Sequence, residues 1–266
     1  MRTLIVIPAR YASTRFPGKP LAPLRGATGA AKPLVRRSWE AARAVPGVER
    51  VVVATDDERI RAACAEFGAE VVMTPAGCAN GTERCAAAHE ALGGGYDLVV
   101  NLQGDAPLTP PGFVSALISA MQARQDARVA TPVLRCDRAA LDSFLADRAA
   151  GRVGGTTAVF DARGNALYFS KEVIPHTGRP IGPEETVPVF HHVGVYAYRP
   201  DALAAYPRWQ PGPLELWEGL EQLRFLERGV PVACVEVEAG GARFWELNNP
   251  VDIARIEAIL KAAGIP

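Results

Sequence analysis

Four short apolar runs, rich in β-branched residues and each too short for a helix, recur within the first 105 positions of this 266-residue chain. They are Thr3-Leu4-Ile5-Val6-Ile7, Val51-Val52-Val53-Ala54-Thr55, Glu70-Val71-Val72-Met73 and Asp97-Leu98-Val99-Val100-Asn101-Leu102. Stretches of helical composition separate them. One covers 32–45 and is stopped by Pro46-Gly47. A second runs from Asp56-Asp57 to Phe67 and is closed by Gly68, and an alanine-rich third follows Asn80 and reaches Leu92 before three glycines break the chain. Buried strands alternating with helices at this spacing predict an α/β fold, a doubly wound and mostly parallel sheet with helices on both faces.

The second half is less regular. Strands are predicted at 129–134, 156–160, 166–169, 191–198 and 231–237, and helices at 213–228 and 250–263. The proline- and glycine-rich stretch 174–188 reads as a loop, long enough to be functional or mobile. The chain is expected to form a single domain, 1–266, with a smaller lobe beside the main sheet and internal parts at 1–130, 131–245 and 246–266.

A chain that is 48% hydrophobic and 22% charged has enough apolar surface for a large core. Lys plus Arg and Asp plus Glu balance at 29 each, so no global field draws it to nucleic acid or an anionic membrane, and any anion site must be local. The five cysteines are odd in number and lack a C-x-x-C pair, which argues against a disulfide framework or a structural zinc. No apolar run is long enough for a membrane span or a signal peptide, and the expected location is the cytoplasm.

In open α/β sheets ligands bind beyond the carboxyl ends of the strands. The first strand empties there into Pro8-Ala9-Arg10-Tyr11-Ala12-Ser13-Thr14-Arg15-Phe16-Pro17-Gly18-Lys19. Three cations on ten residues (Arg10, Arg15, Lys19) suit a polyanion such as a phosphate chain, unless the loop is merely solvated. It contains neither G-x-x-x-x-G-K-[ST] nor G-x-G-x-x-G, so it is no P-loop and no ordinary dinucleotide site. The fourth strand delivers Gln103-Gly104-Asp105 to the same edge, where the glycine permits a sharp turn. Asp105 either points at a ligand or caps the helix expected near Pro110-Pro111. Asp56-Asp57 reads as a helix cap in preference to a metal pair, and Asn80 or Thr82 as the cap of the alanine-rich helix.

With these pieces placed, the sequence resembles the sugar-acid cytidylyltransferases, and most of all the branch acting on 3-deoxy-manno-octulosonate (KDO). The resemblance covers nearly the whole chain. It rests on residues 7–15 with Pro17-Gly18-Lys19-Pro20, on Ala54-Thr55-Asp56, Gly81-Thr82-Glu83-Arg84 and 101–105 with Pro107, and later on Ala166-Leu167-Tyr168-Phe169-Ser170, 192–199 and 209–224. The resemblance implies a Rossmann-like nucleotidyltransferase fold with a sugar-binding and dimerisation lobe. It also implies transfer of CMP from CTP to a 3-deoxy-ulosonic acid with Mg²⁺, in a homodimer that serves lipopolysaccharide or capsule synthesis. By it, Arg10, Arg15 and Lys19 hold the triphosphate, and Pro8, Ala9, Ser13, Gly81, Arg84 and Gln103 line the nucleotide. Asp105 is a magnesium ligand, while Gln103, Lys171, His192, Tyr196, Glu221 and Gln222 face the sugar acid. Glu221 can instead pair with Arg224 at helical spacing, and Tyr196 can be a core residue.

Several positions depart from the family pattern. Leu247-Asn248-Asn249-Pro250 stands where the family usually carries Asp-Thr-Pro, so an amide replaces the second metal-binding carboxylate. An amide oxygen is still an acceptable ligand, and Asn248 is expected to serve as one. Thr157 replaces a typical Lys, Lys171 a typical Arg, and the segment 26–31 is longer than the usual turn. These changes leave open another sugar acid (an amino-KDO or a nonulosonic acid), or a catalytically impaired nucleotide-binding paralogue.

Overall fold

The first apolar run is strand β1 (Thr3–Pro8), buried from Thr3 to Ile7. The chain, a computed structural model described for residues 1–12, 16–153, 155–179, 181–182, 184–240 and 245–266, continues through a hairpin of β2 (Pro23–Arg25) and β3 (Ala31–Pro33). That hairpin takes the residues expected to begin a helix at 32, and α1 (Leu34–Arg43) starts where Pro33 leaves the strand. The long 26–31 segment is its turn. Then follow β4 (Arg50–Thr55), α2 (Glu58–Glu66), β5 (Glu70–Met73), α3 (Gly81–Ala91), β6 (Leu98–Leu102) and α4 (Pro111–Ala123). Asp57, not the Asp56-Asp57 pair, caps α2 by accepting from Arg59 N–H at 2.9 Å, and Asn80 caps α3 through Glu83 N–H at 2.9 Å.

The main-sheet strands of this half are all parallel, in the order β5-β4-β1-β6. The chain winds outward from β1 to β5 and then crosses to β6 on β1's other side. The carboxyl ends of β1 and β6 therefore lie together at a switch point, where a crevice opens. Period-two alternation sends Leu4, Val6, Val52 and Ala54 to one face, against α3, and Ile5, Ile7 and Val53 to the other, against α1, α2 and α4.

Beyond α4 come β7 (Val129–Arg135), α5 (Arg138–Ala149), β8 (Thr156–Phe160), β9 (Ala166–Ser170), β10 (Phe190–His192), β11 (Val195–Tyr198), α6 (Pro200–Ala205), α7 (Pro213–Glu218), α8 (Leu223–Glu227), β12 (Val232–Glu236) and α9 (Asp252–Ala262). β11 enters the same sheet antiparallel, between β6 and β7, and β10, β8 and β9 extend it to ten strands, with β12 parallel to β7. The single strand expected at 191–198 is two, because Val193-Gly194 separates the β8-facing part from the β6-facing part. The helix expected at 213–228 is also two, interrupted at Gly219, whose φ of +60° ends α7.

Arg224 in α8 is 2% exposed, and its guanidinium meets Glu215 twice at 2.7 Å and Glu83 at 3.0 Å above the Tyr206 ring. It thus pairs with α7 and α3 rather than with Glu221 at helical spacing. The last helix returns to the first half. Ile256 and Leu260 of α9 pack on Leu24 and Leu34, and Arg37 donates to the Pro266 carbonyl at 3.0 Å. All five cysteines are free, and no helix among the described residues is long and apolar enough to cross a membrane.

Candidate functional site

At the switch point two backbones nearly touch. A Cβ on Gly104 would lie 2.7 Å from the Pro8 carbonyl oxygen, so only glycine lets the exit of β6 lean on the exit of β1. Ser38 of α1 donates to the Gly104 carbonyl at 3.0 Å and holds the turn. Asp105 follows, and Lys19 Nζ meets its Oδ2 at 2.7 Å, both side chains about one-fifth exposed. Lys19 is positioned by a 3-10 turn (Lys19–Leu21) that Gly18 enters at φ +71°. Asp105 caps no helix, for α4 has Pro110 at its N-cap and no side-chain cap. Ala9 is buried and donates to the Ala54 carbonyl at 2.9 Å, whereas Arg10 is exposed. Ser13 and Arg15 lie outside the described residues.

The C-terminal segment closes this corner. Leu247 N–H donates to the Asp105 carbonyl at 2.8 Å, flanked by Glu246 and Asn248. Asn248 Nδ2 donates to Glu246 Oε2 at 3.4 Å, while Asp252 accepts from the Asn248 and Asn249 N–H groups at 3.0 and 2.7 Å. Burial, and after it the nearby charge of Asp105, pushes the Glu246 carboxyl up to about 7. The oxygen donors gathered here are two carboxylates and an amide, a hard set that fits Mg²⁺. No group of three or more His, Cys, Asp or Glu able to hold a metal occurs among the described residues, so this is no closed protein cage. Magnesium sites that share their cation with phosphates are built from one or two carboxylates in just this way.

The opposite wall starts at α3. A Cβ on Gly81 would stand 3.1 Å from Asn101 Nδ2 and 3.5 Å from both Glu221 Oε1 and Pro8 Cγ. Glu221 accepts from Thr82 N–H at 3.0 Å and from Gln103 Nε2 at 3.1 Å, so one carboxylate joins the start of α3 to the β6 exit. Burial raises its pKa, against which the Thr82 hydrogen bond works. Arg84 is 3% exposed, with Nη1 2.7 Å from Thr74 Oγ1 and 3.3 Å from Asp56 Oδ1.

Deeper in, Tyr196 donates its hydroxyl to Gln222 Oε1 at 3.1 Å, and His192 Nε2 lies 2.9 Å from Thr131 Oγ1. Burial drives the His192 pKa down to about 3 and the Tyr196 pKa well up, so both side chains are uncharged. Gln222 Nε2 and both amide atoms of Asn101 are buried without a partner among the described residues. Such orphaned donors and acceptors are costly, and a ligand can satisfy them. Lys171 stands apart. Its N–H donates to Glu218 at 2.9 Å, and Gly219 leaves room for its Nζ, 3.0 Å from the place of a Cβ. Thr157 is spent on the fold, donating to the Glu172 carbonyl at 2.6 Å and accepting from Ile174 N–H at 3.1 Å.

Lys19, Asp105, Pro8, Gly81, Gln103, Glu221 and Asn248 thus share the crevice, with Tyr196, Gln222 and His192 behind them. Asn101, Thr82 and Glu246 were not among the expected site residues. A lone amide inside the apolar run Leu98-Val99-Val100-Asn101-Leu102 was the signal for the first.

A parallel α/β half, a polar crevice at its switch point and a mixed extension of the same sheet are the architecture of a nucleotidyltransferase. The family model described as cytidylyltransferase matches residues 4–236. The 3-deoxy-manno-octulosonate cytidylyltransferase of Maricaulis maris is 45% identical over 99% of both chains. The enzyme of that name from Zea mays is 38% identical over 99% of this chain and 83% of its own. The solved structure of CMP:2-keto-3-deoxy-manno-octonic acid synthetase complexed with CTP superposes with a TM-score of 0.83 at 32% identity, covering 99% of this chain and 100% of that one. The chain belongs to the cytidylyltransferase family, in its 3-deoxy-manno-octulosonate branch.

Proposed function

We propose that the protein transfers CMP from CTP to the anomeric hydroxyl of 3-deoxy-manno-octulosonate, releasing pyrophosphate, for lipopolysaccharide or capsule synthesis. The observation that carries this reading is the Lys19–Asp105 pair at the joined ends of β1 and β6, facing the Glu221–Gln103–Thr82 wall. In the reaction the sugar oxygen bonds to the α-phosphorus, the bond to the pyrophosphate oxygen breaks, and the hydroxyl proton is lost to solvent. Lys19, with Arg10 and Arg15, neutralises the triphosphate and the leaving pyrophosphate. Pro8, Ala9, Ser13 and Gly81 line the nucleoside, and Arg84 fixes the helix whose start forms that wall. Asp105 and Asn248 would hold Mg²⁺, which would supply screening of phosphate charge and a more acidic attacking hydroxyl.

On the sugar side, Gln222 Nε2 and Asn101 offer unspent hydrogen bonds to the acceptor, beside the neutral Tyr196 and His192 and the charged Lys171. The nucleotide half is 1–130 and the sugar and dimer half 131–245, with 246–266 completing the first. A homodimer in the cytoplasm is the form in which we expect it to act. Pyrophosphate release with CTP, Mg²⁺ and a panel of KDO, amino-KDO and nonulosonic acids tests the reading. KDO is expected to be turned over best. Absence of turnover with every ulosonic acid, while CTP still binds, overturns it.

A further inference from the structure

The segment that carries Asn248 brings a carboxylate of its own. Leu247 is fully buried among Leu24, Leu34, Leu108 and Ile256, and its N–H is fastened to the Asp105 carbonyl at 2.8 Å. The residues on either side of it meet each other, Asn248 Nδ2 donating to Glu246 Oε2 at 3.4 Å. Glu246 has no ion pair among the described residues, whereas Lys19 is committed to Asp105 at 2.7 Å.

Space for the Glu246 carboxylate is set aside from a different element. Between β10 and β11 the chain passes through Gly194, and a Cβ there would come 3.3 Å from Glu246 Oε1 and 3.8 Å from Gln103 Cγ. Glu246 Oε1 therefore lies on the crevice side of the segment, next to the residue that links Asp105 to Glu221. Its Oε2 is steadied by the Asn248 amide, and a donating Nδ2 leaves Asn248 Oδ1 available to a cation.

We propose that Glu246 supplies the second carboxylate of the magnesium site, two residues upstream of the position where the family pattern carries one. Asn248 orients it through Nδ2 and offers Oδ1 to the same ion. The inference rests on Asp105 being a metal ligand. With Glu246 included, the site again has two carboxylates, and ligand charge is what sets affinity for a hard divalent cation. The substitution of Asp by Asn at 248 is then a relocation of charge and not its loss.

Mn²⁺ alone serves as the probe, its free concentration followed by electron paramagnetic resonance against the full chain. Glu246→Gln is expected to weaken Mn²⁺ binding about tenfold or more, and Asn248→Ala by less, as for a residue that chiefly orients a ligand. Adding Asn248→Asp to Glu246→Gln should restore most of the loss. Glu246→Asp keeps the charge but shortens its reach; it replaces the amide variant if that variant fails to fold, and must also weaken binding. Wild-type affinity in Glu246→Gln, with binding lost in Asp105→Asn, overturns the role of Glu246 and leaves the metal reading standing. Wild-type affinity in Asp105→Asn removes the metal reading itself.

Discussion

The two walls of the crevice are made of different materials. On the β1–β6 side the groups are charged and partly open to water, Lys19 and Asp105 being paired at 2.7 Å on loops that leave parallel strands. On the β10–β11 side they are buried and neutral, His192, Tyr196 and Gln222 bonding one another or Thr131. Under the proposed function the difference matches the two substrates. A triphosphate needs charge already in place at the moment of transfer, and Lys19 and Asp105 are held at the strand ends before it arrives. A sugar needs direction, which uncharged hydrogen-bonding groups in a dry setting supply with little freedom to reorient. Near the sugar wall the Arg224 guanidinium is buried between Glu215 and Glu83.

That buried ion cluster should give the largest effect. Arg224→Leu leaves two carboxylates facing each other with no cation, and unfolding free energy should fall by about 3–5 kcal/mol in urea titrations. A loss below about 1 kcal/mol, the value of an exposed pair, would mean that water reaches the cluster and the sugar wall is not dry. On the charged wall the effect should be on rate. Asp105→Ala is expected to lower turnover on the order of 10²–10³-fold with little change in melting temperature, because its carboxylate is partly solvated and caps nothing. Near-normal rates would take Asp105 out of the chemistry.

The same contrast governs what was legible in the sequence. β1, β4, β5 and β6 announce themselves by apolar runs bounded by Pro, Gly and Asp, and the Gln103-Gly104-Asp105 turn follows from where parallel strands end. The sugar wall is held by pairings between distant segments, such as Tyr196 with Gln222 and Glu221 with Thr82, which no local pattern encodes. β10 and β11 read as one strand because only the pairing with β6 and β8 separates them. Nothing periodic in the sequence marks the α5 helix, although Asp137 caps it through Ala140 N–H at 2.7 Å, for the composition of Arg138–Ala149 is mixed. The burial of Arg84 against Thr74 and Asp56 depends on the ends of β5 and β4, which its own helix does not encode. Thr157 reads as a lost cation, yet its hydroxyl is built into the turn at 172–174.

A sharper division between the walls comes from the orphaned amides. Gln222→Ala should raise KM for the sugar acid about tenfold while leaving KM for CTP unchanged, the loss of roughly one hydrogen bond to a charged group. Asn101→Ala borders both Gly81 and Glu221 and should raise both constants, by less. If Gln222→Ala instead changed CTP binding alone, the two walls would have to exchange their ligands.

An effect seen only on acidification tests whether the sugar wall is as dry as its neutral groups require. His192 has a pKa lowered to about 3 by burial, reinforced by the neighbouring His191, whereas the unfolded chain protonates near 6.5. Between those values the unfolded state binds a proton that the native state refuses, so stability is complete above pH 6.5 and falls as pH drops toward 3. His192→Asn removes that proton linkage. The stability difference, wild type minus variant, should therefore decrease on acidification from pH 6.5, with a slope approaching about 1.4 kcal/mol per pH unit in mid-range. Urea titrations of both proteins at pH 7, 6 and 5 measure it. A difference that stays flat over this range would show that His192 takes up its proton in the folded state, and the sugar acid would then meet an imidazolium in place of a neutral ring.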